Sequence, residues 1–89
     1  MSDYKKDRKS IFDPRYKSLI SYLSELRKSV NVSQMELAVK LNLSQSDISK
    51  IESCERRIDF IETIDWLRAL GLDINTSIIQ LMAALNGTK

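Results

Sequence analysis

Eighty-nine residues, 43% of them apolar, suffice for one small globular domain and are too apolar for a disordered chain. A chain with no histidine and one cysteine, Cys54, excludes a histidine-based triad, a histidine or multi-cysteine metal site and an internal disulfide. There is no apolar run near the roughly 18 residues of a membrane helix, no signal-type stretch after the basic start MSDYKKDRKS and no glycine-rich phosphate loop. A cytoplasmic non-enzyme is expected, with no cofactor, no metal, no membrane partner and no evident small-molecule ligand.

The net charge of +2 is unevenly spread. Residues 1–31 hold eight Lys/Arg against four Asp/Glu, whereas residues 32–89 hold six against eight. Residues 1–12 carry Lys5, Lys6, Arg8 and Lys9 without apolar periodicity, and are expected to form a flexible basic arm. Residues 13–87 are expected to form a single domain.

Asp13-Pro14 reads as a helix cap followed by proline at the first helical position. Tyr16, Leu19, Ile20, Leu23, Leu26 and Val30 then recur every three or four residues, giving a first helix that Asn31 can end in the left-handed conformation. Ser33 with Glu36 forms a capping box for a second helix over about 33–42, with Leu37, Ala38 and Leu41 inward. Asn42 supplies the next stop. Ser44 with Asp47 opens a third helix over about 44–53; Ile48 and Ile51 form its buried side, leaving Gln45, Ser46, Ser49 and Lys50 outside.

Residues 53–58, SCERRI, form a loop with a basic pair. Asp59 with Glu62 opens a fourth helix, whose buried stripe is Phe60 or Ile61, then Ile64, Leu67 and Leu70, with Gly71 as the stop. Trp66 falls off that stripe, at the edge of the core or against a partner. Leu72 and Ile74 tuck a linker down before a fifth helix over about 76–86, closed by Gly87. With few valines, threonines and aromatics for a sheet, the fold class is all-α: a compact five-helix domain.

Residues 34–53, QMELAVKLNLSQSDISKIES, have the layout of a helix-turn-helix, which sets its second helix in the DNA major groove. Ala38, four places after Gln34, permits close helix approach, and Asn42 makes the turn. The longer text SQMELAVKLNLSQSDISKIE followed by ERRIDFIETIDWLRALG resembles the lambda-repressor/Cro, or XRE, family. The resemblance covers about half the chain, and the flanking helices suit the family's five-helix lambda-repressor-like domain. Members usually carry glycine where Asn31, Asn42 and Cys54 stand here; a cysteine is strained if its φ is positive.

The resemblance implies a sequence-specific DNA-binding transcriptional regulator, of repressor or controller type, binding double-stranded DNA at a palindromic operator as a homodimer. Gln45, Ser46, Ser49 and Lys50 become candidates for reading bases; glutamine can pair bidentately with adenine and lysine can donate to guanine. Asp47 suits the helix cap better than a base contact. Ser33, Gln34, Ser44, Arg56 and Arg57 become candidates for the DNA backbone, because helix N-termini and arginine forks both suit phosphate. Arg27 and Glu52 match a family pair that ties the first helix to the third. Ile78, Ile79, Leu81, Met82 and Leu85 on the fifth helix are the expected dimer interface. The competing readings are a helical module or antitoxin whose main partner is another protein.

Overall fold

A computed structural model describes residues 13–87; the expected arm over 1–12 lies outside the described residues. Within them the chain forms five helices and no strand: α1 (Pro14–Ser29), α2 (Gln34–Leu41), α3 (Gln45–Glu52), α4 (Phe60–Ala69) and α5 (Ile74–Asn86).

Each helix begins on a side-chain oxygen. Asp13 accepts from the Arg15 N–H at 2.8 Å, and the Arg15 guanidinium bonded to it holds its carboxyl down at about 2. Ser33, Ser44 and Asp59 each head a reciprocal capping box, with Glu36, Asp47 and Glu62 returning the bond. Asp73 accepts from the Thr76 N–H at 2.8 Å, so α5 starts at Ile74, two residues before the expected Thr76. The aspartate outcompetes the threonine as a cap because Thr76 already lies inside the first turn.

The ends of α1 to α4 share one closure. Asn31 (φ 60°), Asn42 (φ 57°), Cys54 (φ 64°) and Gly71 (φ 75°) are all left-handed. After each, the chain folds back: Val32 donates to the Arg27 carbonyl, Leu43 to Ala38, Glu55 to Lys50 and Leu72 to Leu67, over 2.8–3.2 Å. These are Schellman closures, and the residue after the left-handed one normally docks an apolar side chain. Val32, Leu43 and Leu72 do so against the core. The exception is Glu55, whose carboxylate accepts from Ser53 Oγ at 2.7 Å. Cys54 therefore takes the same left-handed closure as the asparagines and glycine at the other three helix ends. Gly87, by contrast, ends α5 with a right-handed φ of −82°.

The core is built on Leu23, Leu37, Ile48, Ile51, Trp66 and Leu67, all essentially inaccessible. Trp66 is the largest of them, which corrects its expected place at the edge. The buried arc of α4 runs through Thr63, Trp66, Leu67 and Leu70, wide enough to take Trp66 beside Leu67. Its indole N–H is satisfied by donating to the Leu23 carbonyl at 3.2 Å. Phe60 and Ile61, expected at the start of the stripe, are exposed instead. Ile58, just before the cap, is buried in their stead, and Thr63 turns inward with its hydroxyl donating to the Asp59 carbonyl.

The consequence for the site is positional. α3 packs on α2 and α1, with Ile48 and Ile51 as its anchors, and α5 packs on α1 and α4.

Candidate nucleic-acid interface

The outer face of α3 holds Gln45, Ser46, Ser49 and Lys50, all exposed. The helix is only eight residues long, too short to be stable alone. It is held by its two buried isoleucines and by its caps. Ser44 Oγ accepts from the Asp47 N–H at 3.0 Å, and the Asp47 carboxylate accepts from the Ser44 N–H at 3.1 Å. That backbone bond keeps the Asp47 carboxyl below its ordinary range, and the carboxylate faces a helix N-terminus that stabilises it. Asp47 is thus spent on the cap.

Ser33 does the same on α2, accepting from the Glu36 N–H while Glu36 accepts from the Ser33 N–H at 2.7 Å. The Ser33 and Ser44 hydroxyls also donate to the Glu36 and Asp47 carboxylates, which adds to the lowering of both groups.

Arg27 and Glu52 bridge α1 and α3. Arg27 Nε meets Glu52 Oε2 at 2.7 Å and Nη2 meets Oε1 at 3.0 Å, with the two side chains only 9% and 10% exposed. Arg27 Nη1 also donates to the Val32 carbonyl at 2.7 Å, tying the pair to the turn before α2. Burial pushes the Glu52 carboxyl up, but the hydrogen bonds from Arg27 and Gln34 outweigh it and hold the group below its usual value.

Two contacts here were not foreseen from the sequence. Gln34 Nε2 donates to Glu52 Oε1 at 2.8 Å, and Gln45 Nε2 donates to Gln34 Oε1 at 2.6 Å. Gln34 and Gln45 each occupy the first position of a helix, directly after its serine cap. The repeated text SQME and SQSD was the available signal: equal register in two helices packed together brings their first side chains within reach.

The loop after α3 separates its two arginines. Arg56 Nη2 pairs with Glu62 Oε2 at 2.9 Å, while its Nη1 is buried with no acceptor among the described residues. Part of its charge is therefore answered within the chain. The Arg57 guanidinium lies 5.4 Å from the centroid of the Tyr16 ring, and Tyr16 Oη accepts from the Ile58 N–H at 3.0 Å. This pins the loop to α1 and leaves Arg57 exposed.

On α5 the five residues expected at an interface divide. Leu81 is 6% exposed and Ile78 packs against the core, so both serve the protomer. A helix lying on α1 and α4 must spend one stripe inward, and these two lie on it. Leu85 is half-buried, while Ile79 and Met82 stand out at 70% and 50% exposure.

Among the described residues no group of His, Cys, Asp and Glu could hold a metal ion, and no helix is long and apolar enough to cross a membrane.

Comparison with known proteins assigns this geometry. Residues 23–76 match the helix-turn-helix family profile. A solved XRE-family like protein from Pseudomonas syringae pv. tomato str. DC3000 is 35% identical, over 93% of this chain and 96% of that one, with a TM-score of 0.72. A mutant of the restriction–modification controller protein C.Esp1396I shares the fold at 20% identity, covering 80% of this chain and 95% of that one, with a TM-score of 0.73. The search of curated proteins found no match. The matched span contains α2, the turn and α3 whole, and the chain therefore belongs to the XRE family of helix-turn-helix proteins, which are DNA-binding transcriptional regulators and not enzymes.

Proposed function

We propose that the protein is a cytoplasmic transcriptional regulator of repressor or controller type that binds a palindromic operator as a homodimer. The observation that carries this reading is the polar face of α3, where Gln45, Ser46, Ser49 and Lys50 stand exposed over a helix fixed from behind by Ile48, Ile51 and Glu52. In this reading α3 enters the major groove; Gln45 retains its carbonyl and one amide hydrogen, enough for a bidentate pair with adenine, and Lys50 donates to guanine. Ser33, Gln34 and Ser44 lie against phosphates beside the groove at two helix N-termini, which favour anions, with Arg57 as the main cation of the loop and Arg56 a lesser one. The arm over 1–12 adds basic charge.

One such domain reads few base pairs, and dimerisation doubles the reading surface. Ile79 and Met82 supply the exposed apolar surface for a two-fold contact, with Leu85 at its margin. Half-sites would then lie about 34–36 Å apart, one helical turn.

A second reading has its own observation: Met35 and Val39, four residues apart on α2, expose apolar side chains outside the DNA-facing set, as a protein-binding module or antitoxin would. Capture of genomic fragments by the purified protein decides between them. At about 150 mM salt, where phosphate attraction is screened, the operator reading expects an inverted repeat among the retained fragments. Random retention, or none, would overturn it in favour of a protein partner.

A further inference from the structure

The four polar side chains running from the centre of the molecule to the surface of α3 form a chain whose hydrogen-bond direction is dictated at its buried end. Arg27 can only donate, and Glu52, its charge answered by Arg27, can only accept. Gln34 must therefore turn its amide nitrogen toward Glu52, which it does at 2.8 Å. With that nitrogen turned toward Glu52, the Gln34 carbonyl is what faces Gln45, and because a carbonyl only accepts, Gln45 offers nitrogen in turn, at 2.6 Å. A glutamine is nearly symmetric in shape but not in hydrogen bonding. Which end of the Gln45 amide faces outward is decided through Gln34, by a carboxylate whose side chain is only 10% exposed.

We propose that Glu52, held by Arg27, is a positioning residue for base recognition: acting through Gln34, it fixes the amide orientation of Gln45 and so sets which base Gln45 accepts. The inference rests on α3 being the base-reading helix and goes beyond it. A bidentate pair with adenine needs a donor and an acceptor in fixed order, and a flipped amide presents them reversed. A purely structural ion pair would support α3 without preferring either order. The same chain would give α2 a part in reading although its own exposed face carries no base-reading candidate: its first residue is the relay.

The test uses the full-length chain and a duplex DNA library with a randomised core, selected and sequenced to give discrimination at every position. Gln45→Ala identifies the base position that Gln45 reads. Gln34→Met removes both relay bonds while leaving the Arg27–Glu52 pair whole. Glu52→Gln keeps the shape and an oxygen for Arg27 but can face Gln34 with either end. Both variants are expected to flatten discrimination at the Gln45 position by roughly 5- to 140-fold, the range for one bidentate pair, while other positions keep theirs. Adding Gln34→Met to Gln45→Ala should lower discrimination no further. A lost phosphate contact from Gln34 would instead weaken all sequences alike. Thermal unfolding of each variant confirms that it is folded at the selection temperature, and Gln34→Met carries the test alone if Glu52→Gln is not. If Gln45→Ala flattens one position and Gln34→Met leaves it sharp, the relay is refuted while base reading by α3 stands. If the unaltered protein enriches no sequence, base reading itself fails, and the relay with it.

Discussion

The helix-turn-helix unit and the α5 end of the molecule are held by different kinds of contact. α2 and α3 are eight residues each, both opened by reciprocal capping boxes, both closed by left-handed asparagine or cysteine, and joined through Gln34, Gln45 and Glu52 to a buried arginine. α5 is longer, has a one-way aspartate cap and no acidic or basic residue within it, and packs largely through apolar side chains, with the Tyr22 hydroxyl within 3.1 Å of both the Ser77 carbonyl and Gln80 Oε1. Directional bonds fix orientation, which a surface that reads DNA requires. Apolar contact is indifferent to orientation and leaves exposed area that a second protomer can cover. Substitutions in the two regions should therefore fail differently.

The largest effect is expected at the buried pair. Glu52→Leu strands the Arg27 guanidinium, and leaving one member of such a pair uncompensated costs about 3–5 kcal/mol. Urea unfolding should show it; a loss below about 1 kcal/mol would mean that water reaches Arg27 freely and the pair does not hold α3. The same pair gives a pH dependence. The folded-state pKa of Glu52 is depressed, so its contribution is complete above the ordinary glutamate value near 4.3 and disappears as pH falls through the folded value. Glu36, Asp47 and Asp73 are depressed as well, by the backbone N–H groups they cap, and act with the same sign. Unfolding free energy should thus hold steady down to about pH 5 and decline below it. A protein that gains stability on acidification would contradict this assignment.

The caps give a middle-sized effect. Ser33→Ala and Ser44→Ala each remove an acceptor from an N–H at the start of a short helix and should cost about 1 kcal/mol. Their denaturation midpoints should fall while the dependence on urea stays unchanged. If either variant matched the unaltered protein, the acidic residue of its capping box would be holding the helix end alone.

How much of this was legible in the sequence follows the same division. The caps, the stops at Asn31, Asn42 and Gly71, and the inward set on α2 and α3 rest on local rules, and spacing alone displays them. Trp66, Phe60 and Ile61 were misread because periodicity gives the direction of a buried stripe but not its width. Whether Trp66 falls inside the arc depends on α1 offering the Leu23 carbonyl to its indole, a contact between residues 43 apart. Leu81, which is buried, and Ile78, which packs on the core, could not be told from Ile79 and Met82 for a like reason: five apolar residues on one helix do not say which belong to the protomer. Cys54 lacked the glycine that would have marked its left-handed turn, though the three sister closures at Asn31, Asn42 and Gly71 gave the pattern. In the candidate site, the face of α3 was readable from its register, whereas the Gln34–Gln45 contact required knowing how two helices meet.

The smallest effect on stability is expected where the two regions differ most. Ile79→Asp and Met82→Asp alter side chains that touch little of their own protomer, so unfolding free energy should stay within about 0.5 kcal/mol. Sedimentation should nevertheless report monomers, since two like charges facing their symmetry mates oppose the contact that the apolar side chains would make. Leu81→Asp is the contrast: one position before Met82 but buried, it should unfold the chain and so say nothing about assembly. If Ile79→Asp and Met82→Asp both remain dimeric, α5 is not the interface, and the exposed Phe60 and Ile61 at the start of α4 become the apolar surface to charge next. Either result separates residues that build the protomer from residues that join two of them, a distinction that apolar character alone does not make.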